Sequence, residues 1–409
     1  MTSEVMERPT NTASIDYAEE IGLEEIREIE KRSYDIIEGL RSKVFAPNAQ
    51  KELAIRFSMT EVAEMVKRTP TAIRDAEKVG RLPKPEVDEK GRRVGYTLEE
   101  VNHMRSVFGT LPWRADTDEA VVIAVQNFKG GCGKSTTTSH LSQYFALQGY
   151  RVCVIDCDPQ GSTTTIFGVN PDFDLEEDDT LYPYLMHGGE SSLHYALRET
   201  YWDGLSIIPA NLSLYNAEYL LAAKVQSDSR MFDRLSAGID TIKDQFDIIL
   251  IDPPPALGMI SLSVLRAANS LVVPVPASII DFSSTAHFFT MLADALQSLE
   301  RHGMQTTYKF MKVLASKVNE GKSAQKAIVK TMRNIYQNCM LETALKDSAE
   351  IDNASARLMT VYELTGPITS RDVHNRCKAY LNSANKEIEL LVRKTWASHH
   401  ADLRKQGLI

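Results

Sequence analysis

Five consecutive apolar residues, Val121-Val-Ile-Ala-Val125, run directly into Gln126-Asn-Phe-Lys-Gly-Gly-Cys-Gly-Lys-Ser-Thr136, and few folds accommodate that sequence of events. A short apolar run closed by glycines reads as a strand buried on both faces, and Thr136 to Gln148 reads as the helix that follows it. The glycines therefore stand at a strand-to-helix turn. Backbone N–H groups at such a turn face a ligand together, glycine lets the backbone close on it without a Cβ in the way, and the helix N-terminus adds partial positive charge. Lys134 supplies a full charge and Ser135 a hydroxyl suited to Mg2+. Lys129, Gly130, Gly131, Cys132, Gly133, Lys134, Ser135 and Thr136 thus form a candidate cradle for nucleotide phosphates. One position departs from the pattern G-x-x-x-x-G-K-[ST]: Phe128 stands where the first glycine belongs, and Lys129 follows it.

Further apolar runs follow in the order a parallel sheet requires. They are Arg151 to Gly161, Leu205 to Leu212 including an edge turn, Phe246 to Pro255, Ser270 to Pro276 and Phe310 to Ser316, and a closing helix is expected over Asn382 to Trp396. The fold class is α/β, with a mostly parallel central sheet flanked by helices. The second run ends in Asp156-Cys-Asp158-Pro-Gln-Gly161. The Phe246 run carries Asp252, which such a sheet places beside the phosphate loop, where a carboxylate can hold Mg2+ through water. Candidate site residues therefore converge on the carboxyl ends of the strands. The acidic loop from Asp172 to Asp179 could hold a metal, but a solvated connector is the favoured reading.

The segment ahead of the sheet has its own logic. Residues 1 to 14 form a polar tip, and from Ile21 to Val44 the apolar residues Ile26, Ile29, Ile36, Ile37, Leu40 and Val44 recur at helical steps. One face of that helix must be buried, against the neighbouring domain or, by preference, against the same helix of a second subunit. Ser58 with Glu61 forms a capping box, Thr69 can cap a second short helix opened by Pro70, and Gly80 can end it. Asp88 to Tyr96 reads as a turn with a basic hairpin, and Thr97 with Glu100 caps another helix. This organisation divides the chain into 1–50, 51–112 and 118–400.

Composition decides between classes of partner. The chain of 409 residues carries a net charge of −9, so it is no uniformly basic nucleic-acid binder. Residues 301–333 nevertheless hold 8 basic residues against 1 acidic, and 51–114 hold 13 against 10. The five cysteines form no paired framework and read as free thiols of a reducing compartment, with Cys153 and Cys157 as core residues rather than metal ligands. With no apolar run of about 18 residues, the expectation is a cytoplasmic protein.

The string Lys129-Gly-Gly-Cys-Gly-Lys-Ser-Thr136 resembles the deviant Walker A motif of ParA/MinD ATPases, and Asp156-Cys-Asp158-Pro-Gln resembles the switch I motif of ParA proteins. Pro209 to Glu218, Thr343 to Ala354 and Glu387 to Trp396 look like the plasmid partition ATPases, with the RepA proteins of repABC plasmids nearest in layout. The resemblance implies an ATP- and Mg2+-dependent, nucleoid-associated homodimer. In it Lys129 reaches the partner's phosphates, Lys134 holds its own, Asp158 positions the attacking water, and Ser135, Asp156 and Asp252 serve Mg2+. It also implies non-specific DNA binding, a ParB-type centromere-binding partner, and repression of the protein's own operon.

Phe57 to Phe108 resembles the MerR-like winged helix-turn-helix. The resemblance places Thr71 and Arg74 near operator DNA and Arg92 and Arg93 on phosphate; a module that only packs or dimerises is the alternative. Lys317, Lys322, Lys326 and Lys330 are the candidates for non-specific DNA, the last three continuing to Arg333 at helical spacing, although a solvated face would look the same. The competing function is a nucleotide-sensing transcriptional repressor with incidental ATPase activity. A MinD-like membrane ATPase would need a basic amphipathic tail, and Ser398 to Ile409 has no sustained apolar face.

Overall fold

A computed structural model describes residues 22–44, 51–186, 191–225, 229–303 and 307–409. The polar stretch 1–14 lies outside these, as do the side chains of Ile37, Leu40 and Val44. The chain divides into two units, 1–50 and 51–409. In the first, helix α1 (Leu23–Val44) opens with Glu24 and Glu25 in its first turn, where acidic side chains complement the helix dipole. Its residues Leu23, Ile26, Ile29 and Ile36 are exposed.

The second unit begins with α2 (Met59–Met65), α3 (Pro70–Lys78) and α4 (Leu98–Phe108). Ser58 and Glu61 form the capping box of α2, Thr69 caps α3 with Pro70 in its first turn, and Thr97 and Glu100 form the box of α4. Val62, Val66, Ile73, Leu82, Tyr96, Val101 and Met104 close a small core of their own. Its attachment to the rest is specific. Arg105 is buried, its guanidinium donates to the carbonyl of Leu147 at 2.6 Å, and burial lowers its pKa to about 10. Gly149 is the residue that makes room: its φ is +94°, and a Cβ there would lie 2.8 Å from the Arg105 guanidinium.

The sheet contains β1 (Val121–Val125), β2 (Val152–Asp156), β3 (Arg198–Glu199), β4 (Leu205–Ile208), β5 (Ile248–Asp252), β6 (Ser270–Pro276) and β7 (Phe310–Ser316). Their spatial order is β3-β4-β2-β5-β1-β6-β7, and every pairing is parallel except that of β3 with β4. The chain winds from β1 towards β2 and β4, then returns through β5 to β6 and β7 on the other side. Open sheets bind ligands at such a reversal, outside the carboxyl ends of the strands.

Side chains alternate between two cores. Val122, Ala124, Ile155, Ile249 and Ile251 face α7 (Tyr182–Met186), α8 (Ser213–Val225), α9 (Arg234–Asp240), α10 (Met259–Ala267) and α11 (Ile279–Arg301). Val121, Ile123, Val154 and Leu250 face α5 (Lys134–Gln148) and α14 (Arg371–Thr395). The remaining α-helices among the described residues are α6 (Ser162–Ile166), α12 (Ser323–Tyr336), α13 (Ala349–Ser355) and α15 (His400–Lys405). This period-2 division explains why the central strands read as unbroken apolar runs.

Several boundaries differ from the sequence expectation. The closing helix begins at Arg371, not Asn382, because the Ser370 side chain accepts from the Val373 N–H and starts it earlier; Ile388 and Val392 are buried, Leu391 only partly. The phosphate-loop helix starts at Lys134 rather than Thr136, whereas the strand from Leu205 stops at Ile208, ahead of the expected edge turn. The short β3, lying antiparallel at the edge, carried no sequence signal. All five cysteines are free thiols, and Cys153 and Cys157 lie in the core.

Candidate nucleotide and metal site

The phosphate loop is built as its residue types demand. Gly131 and Gly133 take φ of +72° and +96°, the left-handed region that residues with a Cβ rarely adopt. Gly133 is the N-cap of α5, and no side chain caps that helix. Its first N–H groups are therefore left for an anion. Asn127 ties the loop down: its Nδ2 donates to the Pro274 carbonyl at 2.9 Å, and its Oδ1 accepts from the Lys129 N–H at 3.1 Å. Ser316, at the end of β7, donates to the Cys132 carbonyl at 3.0 Å. Phe128, in the place of the usual glycine, packs its ring 4.8 Å from that of Phe288 on α11.

The two lysines of the loop differ. Lys134 is buried, and its ammonium donates to the Lys129 carbonyl at 3.2 Å. The side chain of Lys129 is half-buried and pairs with Asp281 near the start of α11.

Three carboxylates gather at the ends of β2 and β5. Asp156 and Asp252 are direct partners in register across the two strands and are fully buried. Thr164 donates to Asp156 Oδ2 from its N–H at 2.9 Å and its hydroxyl at 2.8 Å, and Thr163 donates to Asp252 Oδ2 at 2.7 Å. Burial, followed by the Asp252 charge, pushes Asp156 well above the carboxylate range. Burial also raises Asp252, to about 6, against the pull of the Thr163 and Ser135 hydroxyls and the Lys134 charge. Asp158 is raised as well, chiefly by burial, with the Gln160 N–H and Lys134 opposing.

The donor set fits a hydrated divalent cation. Asp252 Oδ1 is a buried oxygen with no hydrogen-bond partner, and Ser135 lies beside the same carboxylate. A hard cation would bring oxygen ligands and water to that position and offset the charge that burial penalises.

The other expected positions lie apart. Thr71 and Arg74 are exposed on α3. The Arg92 side chain is 75% exposed, its guanidinium 2.9 Å from Asp88. Arg93, by contrast, is paired with Glu77 on α3 at 2.7 Å and donates to the Tyr96 hydroxyl, so it braces the hairpin against the helix. Lys326 and Lys330 are exposed on α12, and Lys322 is its N-cap. Lys317 is separate from that row: it directly follows β7 with φ +51°, and its charge helps hold Asp281 down. Sequence reasoning missed Thr163, Thr164 and Asp281. The threonines follow Asp158-Pro-Gln-Gly161 after Ser162, and Asp281 stands three residues after the capping Ser278, so faint local signals existed.

A family model described as an AAA domain matches residues 120–306. Protein SopA of Escherichia coli (strain K12) is 36% identical over 328 residues, covering 78% of this chain and 83% of that protein. The putative replication protein A of Rhizobium rhizogenes is 30% identical over 369 residues, covering 87% and 90% respectively. A solved structure described as a partition protein superposes with a TM-score of 0.63 at 20% identity, over 90% of this chain and 98% of that one.

Proposed function

Because the chain belongs to the ParA family of partition ATPases, we propose that it segregates a replicon by coupling Mg2+-ATP hydrolysis to dimerisation and DNA binding. The observation that carries this reading is the convergence of Lys134, Ser135, Asp156, Asp158 and Asp252 at the carboxyl ends of the central strands, with the Lys129 ammonium paired to Asp281. Lys134 and the open N–H groups of α5 bind the phosphates. Ser135 and Asp252, with Asp156 behind them, would hold Mg2+, which supplies charge neutralisation on the phosphoryl oxygens. Asp158 orients the attacking water; orientation and charge stabilisation do most of the work in phosphoryl transfer. Lys129 acts in trans, so turnover requires two chains face to face.

The division into 1–50, 51–112 and 118–400 fits this function. Helix α1 serves dimerisation through its exposed apolar residues. The winged module reads operator DNA through Thr71 and Arg74 with Arg92 on phosphate, and thereby represses the operon. Lys322, Lys326 and Lys330 attract non-specific DNA, and a ParB-type partner stimulates hydrolysis. The protein acts in the cytoplasm on the nucleoid; no described helix is long and apolar enough to cross a membrane.

The deciding experiment is inheritance of the replicon in cells carrying Asp158→Ala. Loss of stable inheritance with operator repression intact supports the partition reading. Stable inheritance without hydrolysis would leave a nucleotide-sensing repressor as the function.

A further inference from the structure

Two adjacent threonines on α6 divide the two buried carboxylates between them. Thr164 satisfies Asp156 Oδ2 twice, and its hydroxyl also accepts from the Ala210 N–H at 2.9 Å, which locks it to the end of β4. Thr163 has one hydroxyl proton and gives it to Asp252 Oδ2 at 2.7 Å. Both threonines are fully buried, so neither hydroxyl has water as an alternative partner. The second oxygen of Asp252, Oδ1, is buried without any hydrogen-bond partner. A carboxylate held through one oxygen cannot turn freely about its Cβ–Cγ bond, so the other oxygen keeps a fixed heading.

We propose that Thr163 is a positioning residue for phosphoryl transfer: by occupying Asp252 Oδ2, it reserves Oδ1 for the hydrated divalent cation. The inference rests on the reading of Asp252 as the carboxylate that serves the cation. It goes beyond that reading by assigning a neighbouring hydroxyl the task of orienting it. Without the Thr163 hydroxyl, Asp252 can rotate, and that change weakens the cation site while leaving the phosphate cradle intact. The cradle itself depends on Lys134 and the α5 N–H groups, which Thr163 does not touch among the described contacts.

The test compares the full chain with Thr163→Val, which keeps the shape and removes the hydroxyl, and Thr163→Ser, which does the reverse. The readout is binding of a fluorescent N-methylanthraniloyl-ATP, first in EDTA and then along a MgCl2 titration. Thr163→Val is expected to bind in EDTA within about twofold of the parent but to need about tenfold more Mg2+ for the tight complex, a change equivalent to 1.4 kcal/mol and of the size expected for a hydrogen bond to a charged group. Thr163→Ser is expected to restore the parent Mg2+ requirement.

An unchanged Mg2+ requirement in Thr163→Val overturns the proposal, as does a Ser variant that fails in the same way, since either makes Thr163 a packing residue. If the valine does not fold, Thr163→Ala, which cannot overcrowd the site, carries the same comparison. Asp252→Asn separates the two layers of inference. If it too leaves the Mg2+ requirement unchanged, the reading of Asp252 is wrong; if only Thr163→Val does, the error lies in the role of Thr163.

Discussion

The ammonium of Lys129 is held by the carboxylate of Asp281, the third residue of α11. Burial alone would raise that carboxyl, but hydrogen bonds from Lys129 and Ser278, together with the Lys129 and Lys317 charges, hold it below its usual range. The side chain of Lys129 is therefore committed within its own subunit, and reaching a phosphate requires breaking the pair. Asp281→Ala is expected to let the ATP-bound chain dimerise at about tenfold lower concentration, a total of about 1.4 kcal/mol from removing one competing pair of about 0.7 kcal/mol in each of the two chains. Sedimentation velocity across a concentration series with a slowly hydrolysed ATP analogue measures it.

Lys129→Ala and Lys134→Ala should differ in kind. The Lys129 variant is expected to keep ATP affinity within about threefold and lose partner-stimulated turnover, whereas the Lys134 variant loses binding altogether, since its charge stands inside the cradle. Calorimetric titration with ATP distinguishes them, and tight binding by Lys134→Ala would refute the assignment of the cradle.

Arg105 joins the N-terminal module to the far end of the phosphate-loop helix through the Leu147 carbonyl. Replacing it with alanine leaves buried carbonyls without a donor and opens a cavity, at a cost of about 3 kcal/mol. The expected outcome is a lower melting temperature together with faster proteolytic cleavage in the linker near Pro112, followed by gel electrophoresis.

Glu350 on α13 receives the N–H groups of Ile368 and Thr369, the Thr369 hydroxyl and His374 Nδ1. Although burial alone would raise its pKa, these hydrogen bonds bring it from the ordinary 4.5 down to about 2. A depressed carboxyl contributes stability that is complete above the unfolded value and lost as pH falls through the folded one. The parent should therefore lose this contribution between pH 4.5 and about 2. Glu350→Gln should be less stable at neutral pH, with the gap to the parent closing in that acid window; urea melts at several pH values check it.

Lys326 and Lys330 lie one helical step apart on α12. If they bind DNA phosphates, replacing both with glutamine should weaken binding equally for any sequence and flatten the dependence of log affinity on log salt by about 2. Fluorescence anisotropy with random-sequence duplexes measures the slope. Affinity that is already independent of salt in the parent would exclude this face.

Much of the fold was legible because its signals are local. The buried runs at β1, β2, β5, β6 and β7, the capping boxes at Ser58 and Thr97, and the Pro70 helix start each depend on residues a few positions apart. Boundaries were less legible. The early start of α14 depends on one serine cap, and β3 exists only because β4 offers it an edge to pair with.

For the site, the sequence by itself determined which chemistry is available: the glycines and lysines of the loop, the hydroxyl of Ser135 and three carboxylates at strand ends. Those follow from residue type and strand-to-loop position. Only the tertiary structure decided how they are used. Asp156 meets Asp252 because β2 and β5 lie side by side in register despite more than ninety intervening positions, about 96 by numbering. Lys129 finds Asp281 because β1 adjoins β6, which delivers the start of α11 to the phosphate loop. Arg93 turns inward because Glu77 and Tyr96 converge on it within the folded module. Such pairings depend on strand order and on which side chains burial forces together, and neither is encoded in the spacing of any one motif.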